Sequence, residues 1–255
     1  MLLAIDAGNT NIVFALHDGK EIIHKWRISS ADSRTADEYM VWLSQLLNFE
    51  KLDVSIITGA IIATVVPQTL FPLQLLCRRY FKCDALVVGS QSVNLDVKVN
   101  LPNPEEVGSD RLVNAVAAHE KYGGPMIIID FGTATTFDVI DSVGNYHGGV
   151  IAPGVKLSLD TLTDKATQIP KISLKKTNKV VGLNTISAVR AGFFWGYEGL
   201  IDNIVNLIKK ETKMSFKIII TGGFSNLFKN STKTKVTLNK DITINGLIRA
   251  TTLIK

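Results

Sequence analysis

Asp6-Ala7-Gly8-Asn9-Thr10 and Asp130-Phe131-Gly132-Thr133-Ala134-Thr135-Thr136 are two versions of one phrase: an Asp, then a Gly, then hydroxyl and amide side chains. Glycine lets a backbone come close to a ligand, and the N–H and O–H groups that follow can surround a phosphate. A carboxylate beside a phosphate needs a cation between them, so each Asp points to Mg²⁺ or another hard metal ion. Two such loops in one chain predict a phosphate chain held from both sides. For either copy alone the competing reading is a hairpin in which Asp and Asn satisfy their own backbone. The repetition favours the ligand.

Two further strings bear on the same chemistry. Thr221-Gly222-Gly223 follows the apolar run 216–220. Paired glycines there can lie flat against an adenine or ribose, or simply make a strand-to-helix turn. Gly108-Ser109-Asp110-Arg111 sets a carboxylate beside a guanidinium at a helix start. The helix N-terminus favours an ionised Asp110, and Arg111 offers a planar fork for a carboxylate or a phosphate. A plain N-terminal salt bridge is the structural alternative. A carboxylate is a weak base toward an alcohol, but the loose transition state of phosphoryl transfer makes orienting the hydroxyl and accepting its proton late sufficient. The chain has no G-x-x-x-x-G-K-[ST] string, no G-x-G-x-x-G after a strand, no nucleophile elbow and no recognisable Cys/His pair.

The elements that must position these residues repeat as well. Apolar runs at 2–5, 12–17 and 21–28, the last two flanking Asp18-Gly19, predict a three-strand meander; runs at 127–129, 136–140 and 146–151 predict a second. Helical patterns cover 35–47, 68–80, 110–122 and 185–210, the last capped by Asn184; Gly123-Gly124 stops the third. Further strands are expected at 59–66, stopped by Pro67, and at 216–220. Hairpins followed by strands alternating with helices predict an α/β protein with a mixed sheet and flanking helices in each half. The boundary is placed near Glu120, giving domains 1–119 and 120–255. With no low-complexity linker, close packing around a cleft is expected.

Composition bounds the setting. A chain of 255 residues that is 46% hydrophobic can bury a large core. No run approaches the ~18 apolar residues of a membrane span, and the N-terminus lacks the basic start of a secretion signal. Cys77 and Cys83 alone argue for a reducing compartment, so a cytoplasmic location is expected. Four scattered histidines make a nitrogen or sulfur metal site improbable. The net charge of +5 hides an asymmetry: in residues 151–255 Lys and Arg outnumber Asp and Glu by 17 to 6, whereas in residues 1–150 the acids lead by 17 to 11. A solvated surface is favoured over a nucleic-acid face, because no aromatics interleave the lysines as stacking platforms would require.

Taken in order, D-x-G-N-T, G-x-D-R, D-x-G-T-A-T-T and T-G-G resemble the type III pantothenate kinases, within the superfamily of acetate and sugar kinases, heat-shock ATPases and actin. The likeness runs from Asp6 through Val65-Val66-Pro67 and Asn103-Pro104-Glu105-Glu106-Val107 to Asn245-Gly246-Leu247. The resemblance implies a ribonuclease-H-like (actin-like ATPase) fold for both halves, ATP as donor, and pantothenate as acceptor in the first step of coenzyme A synthesis, giving 4'-phosphopantothenate. It further implies a homodimer whose interface helps to build the pantothenate site, and a need for K⁺ or NH₄⁺. By the same resemblance the first phosphate loop falls on Asp6, Ala7, Gly8, Asn9, Thr10, Asn11, Ile12 and Val13, and the catalytic base on Asp110. Substrate binding falls on Gly108, Ser109, Asp110, Arg111 and Thr185, the monovalent cation on Asp130, and an ATP contact on Thr133. In this scheme Asp6 holds Mg²⁺ directly or through water, Thr135 joins Thr133 in cradling phosphates, and Thr221, Gly222 and Gly223 flank the adenosine. Ser109 replaces a usual alanine, Thr64 a common serine, and Leu101 a tyrosine that contacts substrate in many members. Two other classes stay open: a different kinase or phosphohydrolase on the same scaffold, and a non-catalytic ATP-binding protein retained on DNA in a salt-sensitive way.

Overall fold

The computed structural model describes residues 1–30, 33–90 and 93–253. In chain order its elements are β1 (Leu2–Ala7), β2 (Asn11–His17), β3 (Ile22–Ser29), α1 (Ala36–Phe49), β4 (Gly59–Thr64), α2 (Pro67–Tyr80), β5 (Leu86–Val87), α3 (Ser109–Tyr122) and β6 (Met126–Phe131). There follow β7 (Ala134–Ile140), β8 (Tyr146–Pro153), α4 (Val155–Lys165), α5 (Thr185–Thr212), β9 (Lys217–Gly222), α6 (Ser225–Phe228), β10 (Thr237–Leu238) and α7 (Ile242–Ala250). Thr35 and Glu38 form a reciprocal capping box at α1, and Asn184 with Ser187 does the same at α5.

The strands form two five-stranded sheets, β3-β2-β1-β4-β5 and β10-β9-β6-β7-β8. Read from the meander side, the two orders are identical. In each, the central strand pairs antiparallel with the next strand of its hairpin and parallel with the strand beyond the helices. The repeat seen in the sequence is thus a repeat of whole sheets. It also places the two aspartates at one equivalent point: Asp6 lies between Val13 and Ala63, and Asp130 between Thr136 and Thr221.

One face of the first sheet buries Leu3, Ile5, Phe14, Leu16 and Ile62 under α1 and α2. The opposite face buries Ala4, Ala15, Ile61 and Ala63 against Val113 of α3 and Leu247 of α7. In the second sheet Ile127, Ile129, Phe137 and Ile220 pack with Val155 of α4, Phe194 and Ile201 of α5, and Phe228 of α6.

The chain divides into two units. The first comprises residues 1–98, 102–117 and the segment from 241 onward; the second comprises 99–101 and 118–240. This differs from the contiguous blocks 1–119 and 120–255 expected above. The reason is α7, which lies on β1 and β4 and carries Ile244 and Leu247 into the first core. Strands β5 and β10 and helices α4 and α7 had no counterpart among the expected elements.

Gly246 explains how α7 sits so close. A Cβ there would lie 2.1 Å from the Val113 carbonyl oxygen on α3, while nearby Thr243 donates to the buried Asn114 side chain at 2.8 Å. Helix propensity alone would favour alanine over glycine by about 1 kcal/mol, but the clash forces the helices apart. Gly246→Ala is therefore expected to destabilise the protein by about 1–3 kcal/mol, read as a lowered urea midpoint.

Candidate active site

The first site begins where β1 ends. The backbone turns through Gly8, Asn9 and Thr10 into β2, with the Gly8 N–H donating to Asn11 O at 3.0 Å. Ser30, at the exit of β3, fastens this turn: its hydroxyl donates to Gly8 O at 2.7 Å and its N–H to Thr10 O at 3.1 Å. A Cβ at Gly8 would meet only Asn11 O, at 3.4 Å, and one at Gly132 would meet Ala134 O at 3.5 Å. Neither glycine is required by its neighbours. Glycine at both turns instead keeps the space in front of the backbone open, which suits a phosphate.

Asp110 reaches the same sheet face from α3. Its Oδ1 accepts the Arg111 N–H at 2.8 Å, and a Cβ on Gly108 would stand 2.6 Å from that oxygen. The glycine thus allows the carboxylate to fold back over the helix start. Ser109 donates to Thr64 O at 3.3 Å, tying α3 to the end of β4. Within the substrate string Arg111 is part-buried and caps the turn through its N–H to Gly108 O.

Asp6 and Asp110 are electrostatically coupled. Burial pushes the Asp6 carboxyl up to about 7, the charge of Asp110 adds to the rise, and the Arg27 guanidinium on β3 opposes it. Burial also raises Asp110, against the pull of the Arg111 N–H and guanidinium. Asp110 ionises first, and its charge then holds the proton on Asp6. Such a pair is short of positive charge and fits a divalent ion at Asp6. Among the described residues no three His, Cys, Asp or Glu side chains cluster as metal ligands. An ion here would complete its shell with water and phosphate oxygens.

In the second unit Asp130, the residue before the end of β6, has its carboxylate beside Gly222. A Cβ on Gly222 would lie 2.4 Å from Asp130 Oδ1, and its φ of +84° suits glycine. Gly223 donates to Phe131 O at 3.0 Å. Thr136 and Thr221 flank Asp130 in register. The Thr136 hydroxyl gives its proton to Asp138 Oδ2 at 3.1 Å, and Tyr146 donates to the other oxygen at 2.9 Å. With its proton committed, Thr136 presents only lone pairs on the Asp130 side.

Thr133 is exposed on the turn, but Thr135 corrects its expected part in the phosphate cradle. Alternation along β7 turns it away from Asp130, onto the face of Phe131 and Phe137, where it is fully buried with its hydroxyl unpartnered. Ala7 and Ile12 of the first loop likewise point into the core. Thr185 is exposed at the start of α5, in a shallow groove lined by Gln168, Pro170, Asn184 and Arg190. Leu101 lies at the edge of the second sheet, next to Gly148, where Asn100 donates to Tyr146 O at 2.8 Å. Sequence reasoning missed Arg27 and Asp138, which belong to no motif and emerge only from strand register; Thr136 lay within the second phrase, but its place beside Asp130 also comes from the register.

This strand order, repeated in two units with a carboxylate and a glycine turn at each central strand, is that of the kinases and ATPases built on the actin-like fold. The chain is similar in fold to the solved structure of a candidate 2-dehydro-3-deoxygalactonokinase from Sinorhizobium meliloti, with a TM-score of 0.64 at 11% identity over 98% of this chain and 96% of that one. The family model for type III pantothenate kinase matches residues 2–207. Type III pantothenate kinases from Pelagibacter ubique and Paramagnetospirillum magneticum are 54% and 52% identical to it, over 100% and 97% of this chain and 100% and 95% of theirs. The chain belongs to the type III pantothenate kinase family.

The raised Asp6 carboxyl has a consequence for stability. Without metal or nucleotide, the folded protein keeps a proton that the unfolded chain releases near pH 4, so stability falls as pH rises from about 4 to about 7 and then levels off. At roughly 1.4 kcal/mol per tenfold displacement, the effect is measurable by urea unfolding across that range. Asp6→Asn should match the parent at pH 4 and exceed it at pH 8.

Proposed function

We propose that the protein transfers the γ-phosphoryl group of ATP to the primary hydroxyl of pantothenate, forming 4'-phosphopantothenate for coenzyme A synthesis. The observation that carries this reading is the Gly108–Arg111 turn, which holds the Asp110 carboxylate on the same sheet face as Asp6. Family membership supplies the acceptor.

Asp110 orients the hydroxyl and takes its proton; an ionised carboxylate already coupled to a second one is suited to that role. Arg111, Gly108 and Ser109 bind the acceptor, together with Thr185. Asp6 would hold Mg²⁺, directly or through water, and when bound the ion supplies charge neutralisation to the phosphates. The open turn Gly8–Thr10 and the exposed Thr133 contact the phosphates, and Thr221, Gly222 and Gly223 flank the adenosine. Thr135, being fully buried, is omitted from this set.

Asp130 is assigned to K⁺ or NH₄⁺. The contrast between the two sheets supports this. Asp6 has the apolar neighbours Val13 and Ala63, whereas Asp130 has the hydroxyls of Thr136 and Thr221. A single carboxylate among neutral oxygens suits a large monovalent ion.

A homodimer is assigned to the second unit, where Val180, Val181 and Leu183 are exposed beside Thr185. A second copy would cover these side chains. The protein is placed in the cytoplasm. Both its cysteines are free, and no helix among the described residues is long and apolar enough to cross a membrane.

Two measurements check these assignments. In a coupled assay for ADP release, turnover should require pantothenate and fall when K⁺ is replaced by Na⁺. Asp110→Asn should lose about 10²–10⁴-fold in kcat while binding nucleotide normally; pantothenate-independent ADP release would overturn the acceptor. Leu183→Lys should shift the sedimentation coefficient toward that of a monomer.

A further inference from the structure

Val13 stands opposite Asp6 in the β1–β2 ladder and opposite Arg27 in the β2–β3 ladder. Residues directly opposite one another point to the same face, so Arg27 shares the face of Asp6 on which α3 packs. It lies at the end of the sheet that carries the Gly8–Thr10 turn. Just beyond it, Ser30 grips that turn at Gly8 O and Thr10 O, so the part of β3 bearing Arg27 is fixed relative to the loop.

The surroundings of Arg27 do not account for it. Lys25, on the same face, is neutralised by Asp241 at the start of α7. No carboxylate among the described residues stands at ion-pair distance from Arg27, although its charge is felt at Asp6. Nor does the architecture require a cation at this point. In the second sheet the equivalent row runs Asp130, Thr136, Ile151, with an exposed isoleucine in the place of the arginine.

We propose that Arg27 contacts the phosphoryl group in transfer. As the bond to the ADP oxygen breaks and the acceptor oxygen bonds to phosphorus, the charge of the phosphoryl group is spread over its three equatorial oxygens, and the hydroxyl proton passes late to Asp110. A guanidinium on the same face offers those oxygens two N–H donors and a fixed charge. This rests on the roles given above to Asp6 and Asp110.

The test compares Arg27→Gln and Arg27→Lys with the parent, in steady-state turnover and in calorimetric binding of ADP and of a non-hydrolysable ATP analogue. Arg27→Gln is expected to lower kcat by about 10²–10³-fold, with little change in KM for pantothenate, and to weaken the analogue more than ADP. Arg27→Lys should recover part of both losses, and it gives the same analogue-to-ADP comparison if the glutamine variant is unstable. Equal losses for ADP and analogue, or turnover near the parent's, would overturn the proposal and leave Arg27 a counter-charge to the carboxylates. Asp6→Asn separates the two ideas: normal turnover in that variant removes the Asp6 reading, whereas its loss beside an unselective Arg27→Gln removes the arginine assignment alone.

Discussion

Two carboxylates that repel each other across a partly dehydrated space, Asp6 and Asp110, set the terms for the first unit. Burial disfavours charge on both, and the ionised Asp110 keeps a proton on Asp6 near neutrality. The arrangement stays under tension until positive charge enters. Several features keep the pair in place: the glycine that lets Asp110 fold back, the Ser109 contact to the end of β4, and the close approach of α7 to α3 at Gly246. Two buried carboxyls so placed favour any ligand that carries positive charge.

Much of the fold could be read from the chain because its meanders follow local rules. Alternation, Asp18-Gly19 and the cap at Asn184 each act over a few residues. What escaped depends on distant contacts. Helix α7 is rich in β-branched residues and holds a glycine in its middle, both poor local signals for a helix; it is stabilised by packing on β1 and β4 and by the glycine's fit against Val113. Helix α4 starts at Gly154 without a side-chain cap. Strands β5 and β10 have two residues each, too few to show a period.

The site divides along the same line. Asp6, Asp110, Asp130 and the glycines beside them stood out because each forms a short local string, an Asp near a Gly at the end of a strand or the start of a helix. Arg27 looked like any polar residue on an outer strand until the register placed it in line with Asp6. Thr135 failed in the opposite sense. Its neighbours in sequence suggested a phosphate contact, but one step along a strand reverses the face, and Thr136 instead stands beside Asp130.

The matching strand orders bear on ancestry. Two sheets with the same connections and an aspartate at the same point are what an ancient duplication within one gene leaves behind. Copies made in that way can differ wherever the sheet itself is indifferent, and the rows through the two aspartates do differ: Ala63, Asp6, Val13, Arg27 in one and Thr221, Asp130, Thr136, Ile151 in the other. The aspartate is the member the two rows share. Its neighbours differ: apolar flanks and a cation in one row, hydroxyls and an exposed isoleucine in the other.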